Sequence, residues 1–166
     1  MDYEKHGLLT TQNVFQNKSN EFPKEKKFID FKSKFIATQA EIASNKFIVT
    51  VDSTSLNNQK IEITNETKTI LGYNCRKAKT SINSNQIEIW FTNDLPYKGS
   101  PLTLGQDLGL VLEINRNNNY IITAREVNRI SKVDEKLVLP QNNAQRIDGL
   151  TYQDFIWKTK FTTLPI

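Results

Sequence analysis

Few residues in this chain are suited to acid–base or nucleophilic chemistry. The single histidine, His6, stands beside the N-terminus, which leaves no basis for a histidine triad or a histidine-rich metal site. The single cysteine, Cys75, is followed by Arg76 and Lys77, whose charges could lower the thiol pKa. Such a cysteine on a strand is more often a small buried side chain, and one cysteine cannot form an internal disulfide.

Two aspartates flank the stretch that is richest in turn-forming residues. Asp94 and Asp107 stand near the two ends of residues 93–105, which include Pro96, Gly99 and Pro101. Paired carboxylates are the groups with which glycosidases work. Aspartates among Asn, Gly and Pro more often cap turns, however. The sequence therefore assigns this chain no catalytic constellation, no metal site and no cofactor.

Aromatic residues near the same stretch indicate recognition more than catalysis. Exposed Trp and Tyr side chains are typical of binding grooves, and Lys and Asp add hydrogen-bonding groups. The candidate ligand-binding residues are Trp90, Asp94, Tyr97, Lys98 and Tyr120. We predict that the loop 93–105 and Trp90 form the rim of a pocket. The alternative is that Trp90 lies in the core and the loop folds back as a lid.

These residues depend on the segment from Ile87 to Val127 for their positions. Its densest apolar run, 108–114, is too short for a typical helix and predicts a strand buried on both faces. The asparagine-rich tract 115–119 predicts a hairpin turn, which places a two-stranded hairpin at the centre of the sheet. Alternation puts Trp90 on the face opposite Ile87 and Ile89. Gly109 marks a bend or a close backbone approach.

The first third of the chain is less clear. Residues 7–15 give a weakly alternating strand, and residues 28–36 fit both helical and strand spacing. The β-branched run 46–52 predicts a strand, which a turn at 57–59 returns into a second strand at 60–64. Beyond Gly72, alternation places Cys75 and Lys77 on one face of a further strand.

The last third contains the best helical pattern. Residues 133–140 predict an edge strand ended by proline, and residues 149–161 predict a helix. Thr151 is the predicted N-cap, with Asp154 at the third helical position and Tyr152, Phe155 and Ile156 on one face.

Bulk properties limit the class of protein. The chain has 166 residues, enough for one compact domain, and its formal charge is +4. That modest charge, without surface aromatics interleaved with the basic residues, argues against nucleic-acid binding. No apolar run approaches the roughly 20 residues of a membrane span, and the N-terminus does not read as a signal peptide.

Three motifs in a fixed order carry a resemblance to known proteins. They are Thr69-Ile-Leu-Gly-Tyr-Asn-Cys-Arg-Lys-Ala78, Ile89-Trp-Phe-Thr92 followed by Leu95-Pro96, and Leu108-Gly-Leu-Val-Leu-Glu113. With the late Thr151-Tyr-Gln-Asp-Phe155, this pattern resembles the GLPGLI family, although Gln106-Asp107-Leu108 stand where that family has Gly-Leu-Pro. The chain would belong to a divergent branch that resembles the N-terminal bowl-like accessory domain of the secreted type II peptide-N-glycosidases.

The strand pattern and the resemblance together predict a mainly β fold. We expect an open, strongly curved antiparallel sheet, a bowl or half-barrel of about six to eight strands, with one C-terminal helix. Residues 1–160 would form this single domain, and residues 161–166 would begin a linker to a downstream domain.

The resemblance also implies a role. It makes the chain a non-catalytic accessory domain of an exported bacterial enzyme whose downstream catalytic domain deglycosylates N-glycoproteins. Its partners would be that domain and a glycopeptide or peptide, and its location periplasmic or secreted, with the signal peptide absent from this sequence. The alternative is a stand-alone exported GLPGLI-like protein that holds an apolar or peptide ligand in its concavity.

Overall fold

The structure is a computed structural model that describes residues 9–11 and 22–162. The described residues form ten strands and two helices, so the fold is mainly β. The elements in chain order are β1 Leu9–Thr11, β2 Lys24–Asp30, β3 Phe35–Ala43, β4 Lys46–Asp52, β5 Glu62–Ile70, β6 Tyr73–Ile82, β7 Asn85–Thr92, β8 Leu110–Arg116, β9 Tyr120–Thr123, α1 Glu135–Val138, β10 Gln145–Arg146 and α2 Gly149–Thr162.

The chain divides into two compact units. The first combines Met1–Ser55 with Lys132–Ile166, and the second is Leu56–Ser131. The first unit holds a sheet of order β1-β2-β3-β4-β10, in which only β10 is parallel to its neighbour, and the second a fully antiparallel sheet of order β5-β6-β7-β8-β9. Neither sheet closes into a barrel among the described strands.

The predicted architecture of open antiparallel sheet and C-terminal helix is therefore confirmed. The strands are more numerous than expected and belong to two sheets instead of one. The single domain over residues 1–160 and the linker at 161–166 stay predictions.

The sheet of the first unit buries apolar side chains on both faces. One face contributes Phe28, Ala37 and Val49. The other contributes Ala40 and Ile48, on which the helix α2 places Tyr152 and Ile156. Alternation along β3 and β4 produces this two-faced core, since Ala37 and Ala40 are three residues apart and point to opposite sides.

The ambiguous segment 28–36 is a β-hairpin turn with its flanking strands. β2 ends at Asp30, whose carboxylate accepts hydrogen bonds from the backbone N–H of Lys32 and Ser33, each at 2.9 Å. Lys34 then takes a positive φ of 55° before β3 begins. The turn occupies the middle of the apolar pattern, which is why residues 28–36 fitted both helical and strand spacing.

The predicted hairpin between residues 46–52 and 60–64 is wrong. The first strand is correct, but β4 pairs with β3 and β10, whereas β5 pairs with β6 in the second unit. The Asp52 carboxylate ends β4 by accepting from the N–H groups of Thr54 and Ser55, at 2.8 and 3.1 Å. Residues 53–61 thus connect two sheets, a distinction that turn-forming composition does not reveal.

Tight turns with positive φ connect β5 to β6, β6 to β7 and β8 to β9 in the second sheet. Leu71 and Gly72 have φ values of 52° and 82°, and Asn83 and Ser84 have 48° and 64°. The predicted asparagine turn is confirmed, with Asn117 at 53° linking β8 to β9. The central strand, however, is β7, and β9 lies at the edge, so the β8–β9 hairpin is not at the centre as expected.

The C-terminal predictions had mixed outcomes. Residues 133–140 contain the short helix α1 in place of the predicted edge strand. A segment of four residues is too short for its apolar periodicity to distinguish a helix from a strand. The helix α2 is confirmed, but its cap is Asp148, whose Oδ1 accepts from the N–H of Thr151 at 2.9 Å. Asp154 lies in the middle of α2 and pairs with Lys158 at 2.6 Å. Of the predicted strand at 7–15, the structure describes only Leu9–Thr11, which is β1.

Candidate functional site

Trp90 lies on one face of the second sheet, buried to 8% exposure. It belongs to β7, packs with Cys75 and Leu112, and is opposite the face that carries Ile89 and Phe91. The predicted placement of Trp90 relative to the isoleucines is confirmed. Its burial agrees with the alternative interpretation of Trp90 as a core residue.

A β-bulge shapes the surroundings of Trp90. Trp90 pairs with Glu113 and Phe91 pairs with Val111, so Leu112 is left between them without a partner in β7. Two residues thus oppose one, which turns both Leu112 and Glu113 toward the tryptophan. The backbone C=O of Leu112 accepts a hydrogen bond from the N–H of Ala124 at 2.7 Å, which draws the segment after β9 onto this face.

Two lysines cover the indole. The Nζ of Lys68, from β5, lies 4.3 Å from the centroid of the Trp90 ring, and the Nζ of Lys77, from β6, lies 5.7 Å from it. Both distances are within the range of a cation–π interaction. Lys77 is the cross-strand partner of Trp90, so strand register places it there.

Carboxylates hold both lysines in place. Lys68 Nζ is 2.7 Å from Glu113, while Lys77 Nζ is 2.6 Å from Glu66 and 3.3 Å from Glu88. The pKa of Lys77 is raised, above all by its hydrogen bond with Glu66. The result is a paired layer of charge over Trp90, so a ligand would have to displace these lysines to reach the indole. We call Trp90, Lys68, Lys77 and their carboxylates the indole cover.

The loop between β7 and β8 packs on the opposite face of the sheet. Its residues Leu104 and Leu108 contact the core of Ile89 and Phe91. The pocket rim expected from this loop together with Trp90 is therefore not formed, because the apolar part of the loop and Trp90 lie on different faces. Here the loop folds back as a lid, as the alternative interpretation had it.

Two glutamines that the sequence interpretation missed fix this lid. Gln106 is buried; its Oε1 accepts from the N–H of Ser100 at 3.0 Å and its Nε2 donates to the C=O of Ser100 at 2.9 Å and to that of Leu102. Gln59 donates to the C=O of Thr103 at 2.8 Å and accepts from the N–H of Gly105 at 3.0 Å. A side-chain amide satisfies backbone groups where no strand can, which makes the irregular loop rigid.

Three predicted site residues lie at the start of the loop. The Oδ2 of Asp94 accepts from the backbone N–H of Asn74 at 2.7 Å, which fixes the loop to the start of β6. Lys98 is exposed and its Nζ is 3.4 Å from Asp107. Tyr97 lies half-buried between them in sequence. The two aspartates of the proposed carboxylate pair thus have separate partners.

Tyr120 is at the other end of the sheet. It pairs with Arg116, which pairs in turn with Ile87 near the start of β7, whereas the loop leaves from the far end of β7. The six residue-to-residue steps from Ile87 to Asn93, just beyond the end of β7, span roughly 20 Å. Tyr120 is 54% exposed, so its side chain is open to solvent but is not brought together with the loop. The binding roles of all five predicted residues stay predictions.

The other residues considered for chemistry are Cys75, His6 and possible metal ligands. Cys75 is buried and burial raises its pKa, which fits the small-core interpretation and opposes the activated-thiolate one. His6 lies outside the described residues. Among the side chains that the structure describes, no group of three or more His, Cys, Asp or Glu is placed to hold a metal. No helix in the described part of the chain is both long and apolar enough to cross a membrane.

The sequence interpretation overlooked the indole cover, although a signal for part of it was present. Alternation had placed Cys75 and Lys77 on one face of β6, and that face is the one shared with Trp90. Lys68 and Glu113 could not be found in this way, because their positions depend on the pairing of β5 with β6 and on the bulge in β8.

Comparison with known proteins gives the family. The family model described as "N-glycanase peptide, N-terminal domain" matches residues 2–154, and the chain belongs to that family. It is similar to two solved structures of PNGF-II, in space groups C2 and P21, with 44% and 45% sequence identity and a TM-score of 0.79 for each. Each match covers 86% of this chain and 26% of the PNGF-II chain, so this chain spans about a quarter of that protein. A search of curated proteins found no match.

Proposed function

We propose that this chain is the non-catalytic accessory domain of an exported peptide-N-glycosidase, and that domains following it in the same polypeptide remove the glycans. One observation carries the proposal: a family of N-terminal N-glycanase domains matches residues 2–154, while the matched part covers only 26% of the similar PNGF-II chain. The export and the bacterial, GLPGLI-like origin rest on the resemblance of the motifs around Gly72, Trp90 and Gly109.

The architecture suits such a role. Trp90, the strongest candidate for chemistry or binding in the sequence, is enclosed by lysine–carboxylate pairs, and the loop after β7 is fastened by Gln106 and Gln59. A rigid sheet with fixed loops can hold the neighbouring domains of a polypeptide in position, a role that requires no catalytic group.

Activity measurements test this proposal. We expect deglycosylation of a glycopeptide by the polypeptide encoded by the complete gene and none by residues 1–166 alone. A shorter product that starts after residue 166 should retain chemistry but act more slowly on folded glycoproteins than on glycopeptides. Turnover by residues 1–166 alone would refute the non-catalytic assignment, and a gene that ends near Ile166 would refute the accessory role.

Substrate contact by this domain is the finer part of the proposal. We assign it to the start of the loop, where Tyr97 and Lys98 follow the fixed Asp94 in sequence and offer a ring, a hydroxyl and an exposed ammonium group, the last 3.4 Å from Asp107. Tyr97→Ala and Lys98→Ala should weaken glycopeptide affinity several-fold in a calorimetric titration. Lys79→Ala is the matched control for Lys98→Ala, since the Lys79 side chain is 54% exposed with its Nζ 3.6 Å from Glu62, much as that of Lys98 is 53% exposed with its Nζ 3.4 Å from Asp107. Equal effects of Lys98→Ala and Lys79→Ala, or no effect of Tyr97→Ala and Lys98→Ala, would contradict the assignment.

A further inference from the structure

The outward face of the helix α2 carries an apolar stripe. Leu150 is 82% exposed, Trp157 is 65% exposed and Phe161 is 50% exposed. The rings of Trp157 and Phe161 contact each other, with centroids 4.4 Å apart and a tilt of 47°. Residues 150, 157 and 161 are spaced by seven and four, so they share one face of the helix.

This stripe is separate from the helix face that belongs to the core. Tyr152, Phe155 and Ile156 point inward and pack on β3 and β4, and Tyr152 donates its hydroxyl to Glu25 at 2.9 Å. At 100° per residue, the centre of the stripe is on the opposite side of the helix from this buried group. The helix is thus apolar on two sides, only one of which is covered within the described residues.

The stripe is larger than isolated exposed apolar residues would explain. The two contacting aromatic side chains leave roughly 250 Å² of surface in water, and Leu150 adds apolar surface two helical turns away, beyond the exposed Gln153 and Asp154. Exposed apolar surface of this extent is often an interaction site. Trp and Phe are also enriched in the cores of protein interfaces.

We propose that the Leu150–Trp157–Phe161 stripe is the docking surface for the domain that follows this one in the same polypeptide. The inference rests on the proposed function. Two observations select this occupant over others. The PNGF-II chain extends far beyond the 26% that matches this one, and the family model describes an N-terminal domain, so a following domain would be joined to the chain beyond α2, the last described element. A tethered partner binds at high effective concentration, so a patch of this size is sufficient.

Hydroxyl-radical footprinting tests the proposal directly, because side-chain oxidation follows solvent exposure. The oxidation rates of Trp157 and Phe161 are compared between residues 1–166 and the polypeptide of the complete gene. We expect both rates to fall several-fold in the longer polypeptide. Tyr120, which has a similar exposure in the second unit, should keep its rate and is the internal control.

The possible outcomes separate this inference from the proposed function. Unchanged rates at Trp157 and Phe161 in a longer polypeptide that deglycosylates glycopeptides would overturn the docking surface and leave the proposed function intact. Protection that appears in residues 1–166 alone and grows with protein concentration would show that a second copy covers the stripe, and would also overturn it. A gene without sequence beyond Ile166 would remove both.

Variants complete the test. Trp157→Lys with Phe161→Lys should raise the oxidation rate of Leu150 in the longer polypeptide to its rate in residues 1–166. Asn143→Lys, on an exposed turn of the same unit, adds charge without touching the stripe and should have no effect. Because both aromatics are exposed, residues 1–166 with the double substitution should melt like wild type, which verifies that the variant folds. Equal oxidation of Leu150 in the double variant and in the control would contradict the proposal.

Discussion

Gly109 occupies a position where a single methyl group should strain the second unit. Its φ is +153°, and a Cβ built there would lie 2.6 Å from the C=O oxygen of Thr92 and 2.6 Å from the Oδ1 of Asn93. The contact with Thr92 is to backbone, which cannot rotate away as a side chain can. The close backbone approach expected from the sequence at this glycine is confirmed.

Two costs add for Gly109→Ala. Holding a non-glycine residue in a rare backbone conformation costs about 1–3 kcal/mol. Forcing extra volume into a packed site costs roughly another 1–3 kcal/mol. One kcal/mol shifts the melting temperature of a domain of 60–100 residues by about 4–8 °C. We therefore expect Gly109→Ala to lower the melting temperature of the second unit by about 10 °C or more.

The chain offers both a probe and a control for this measurement. It has two tryptophans, so Trp157→Phe leaves buried Trp90 as the sole fluorescent reporter of the second unit. Gly72→Ala is the matched control, since Gly72 has a φ of +82° but, apart from its own residue and its two chain neighbours, no described atom lies within 4 Å of the point that a Cβ would occupy. It should incur only the conformational cost of roughly 1–2 kcal/mol. If the two alanine variants melt alike, the steric argument at Gly109 is refuted.

Three further measurements bear on the described contacts. Trp90→Ala should destabilise the second unit by about 3–5 kcal/mol in urea unfolding, whereas exposed Trp157→Ala in residues 1–166 should stay within about 0.5 kcal/mol, and a reversal would contradict the burial of Trp90. Gln106→Ala leaves the buried N–H of Ser100 without its acceptor and should lower the free energy of unfolding by about 1–3 kcal/mol. Amide hydrogen exchange in the loop should then become faster, and an unchanged exchange rate would contradict the role of Gln106 in fixing the loop. Hydrogen bonds from Ser55 and Thr54 lower the pKa of Asp52 from 3.8 to about 2. The ionised Asp52 carboxylate therefore stabilises the fold fully above pH 3.8, and this stabilisation is lost as the pH falls toward 2. Asp52→Asn should make the urea unfolding midpoint depend less on pH between 3.8 and 2. If the midpoints of wild type and variant change in parallel with pH, the linkage is disproved.

Local sequence signals predicted local structure well. The asparagine turn, the alternation around Trp90 and the helix from Gly149 were all correct, because turn chemistry and side-chain periodicity act within a few residues. The helix cap was predicted at Thr151, three residues after the observed cap Asp148. Both are residue types that favour capping, and their side chains hydrogen-bond to each other.

Pairing between distant segments was beyond local signals. Nothing near Asp52 indicates that β4 pairs with β10, or that the next strand belongs to another sheet. The indole cover has the same origin, because Lys68 reaches Trp90 only across two strand pairings. The folding of the loop over Ile89 was the alternative that the sequence allowed. The glutamines that fix the loop could not be predicted in the same way, because the contacts of Gln59 are with residues up to 46 positions away in sequence.

The discontinuous first unit has a consequence for the order in which the chain can fold during synthesis. β10 and α2 complete a sheet whose other strands leave the ribosome much earlier, and the backbone N–H of Gln141 bonds to Gln39, 102 residues away in sequence. The whole second unit, Leu56–Ser131, leaves the ribosome before β10 and α2 do, so it can fold before the first unit is complete. Until residues 145–146 emerge, the edge of β4 presents unpaired backbone groups to neighbouring nascent chains. A fragment that ends before β10 would keep that edge exposed permanently and should aggregate.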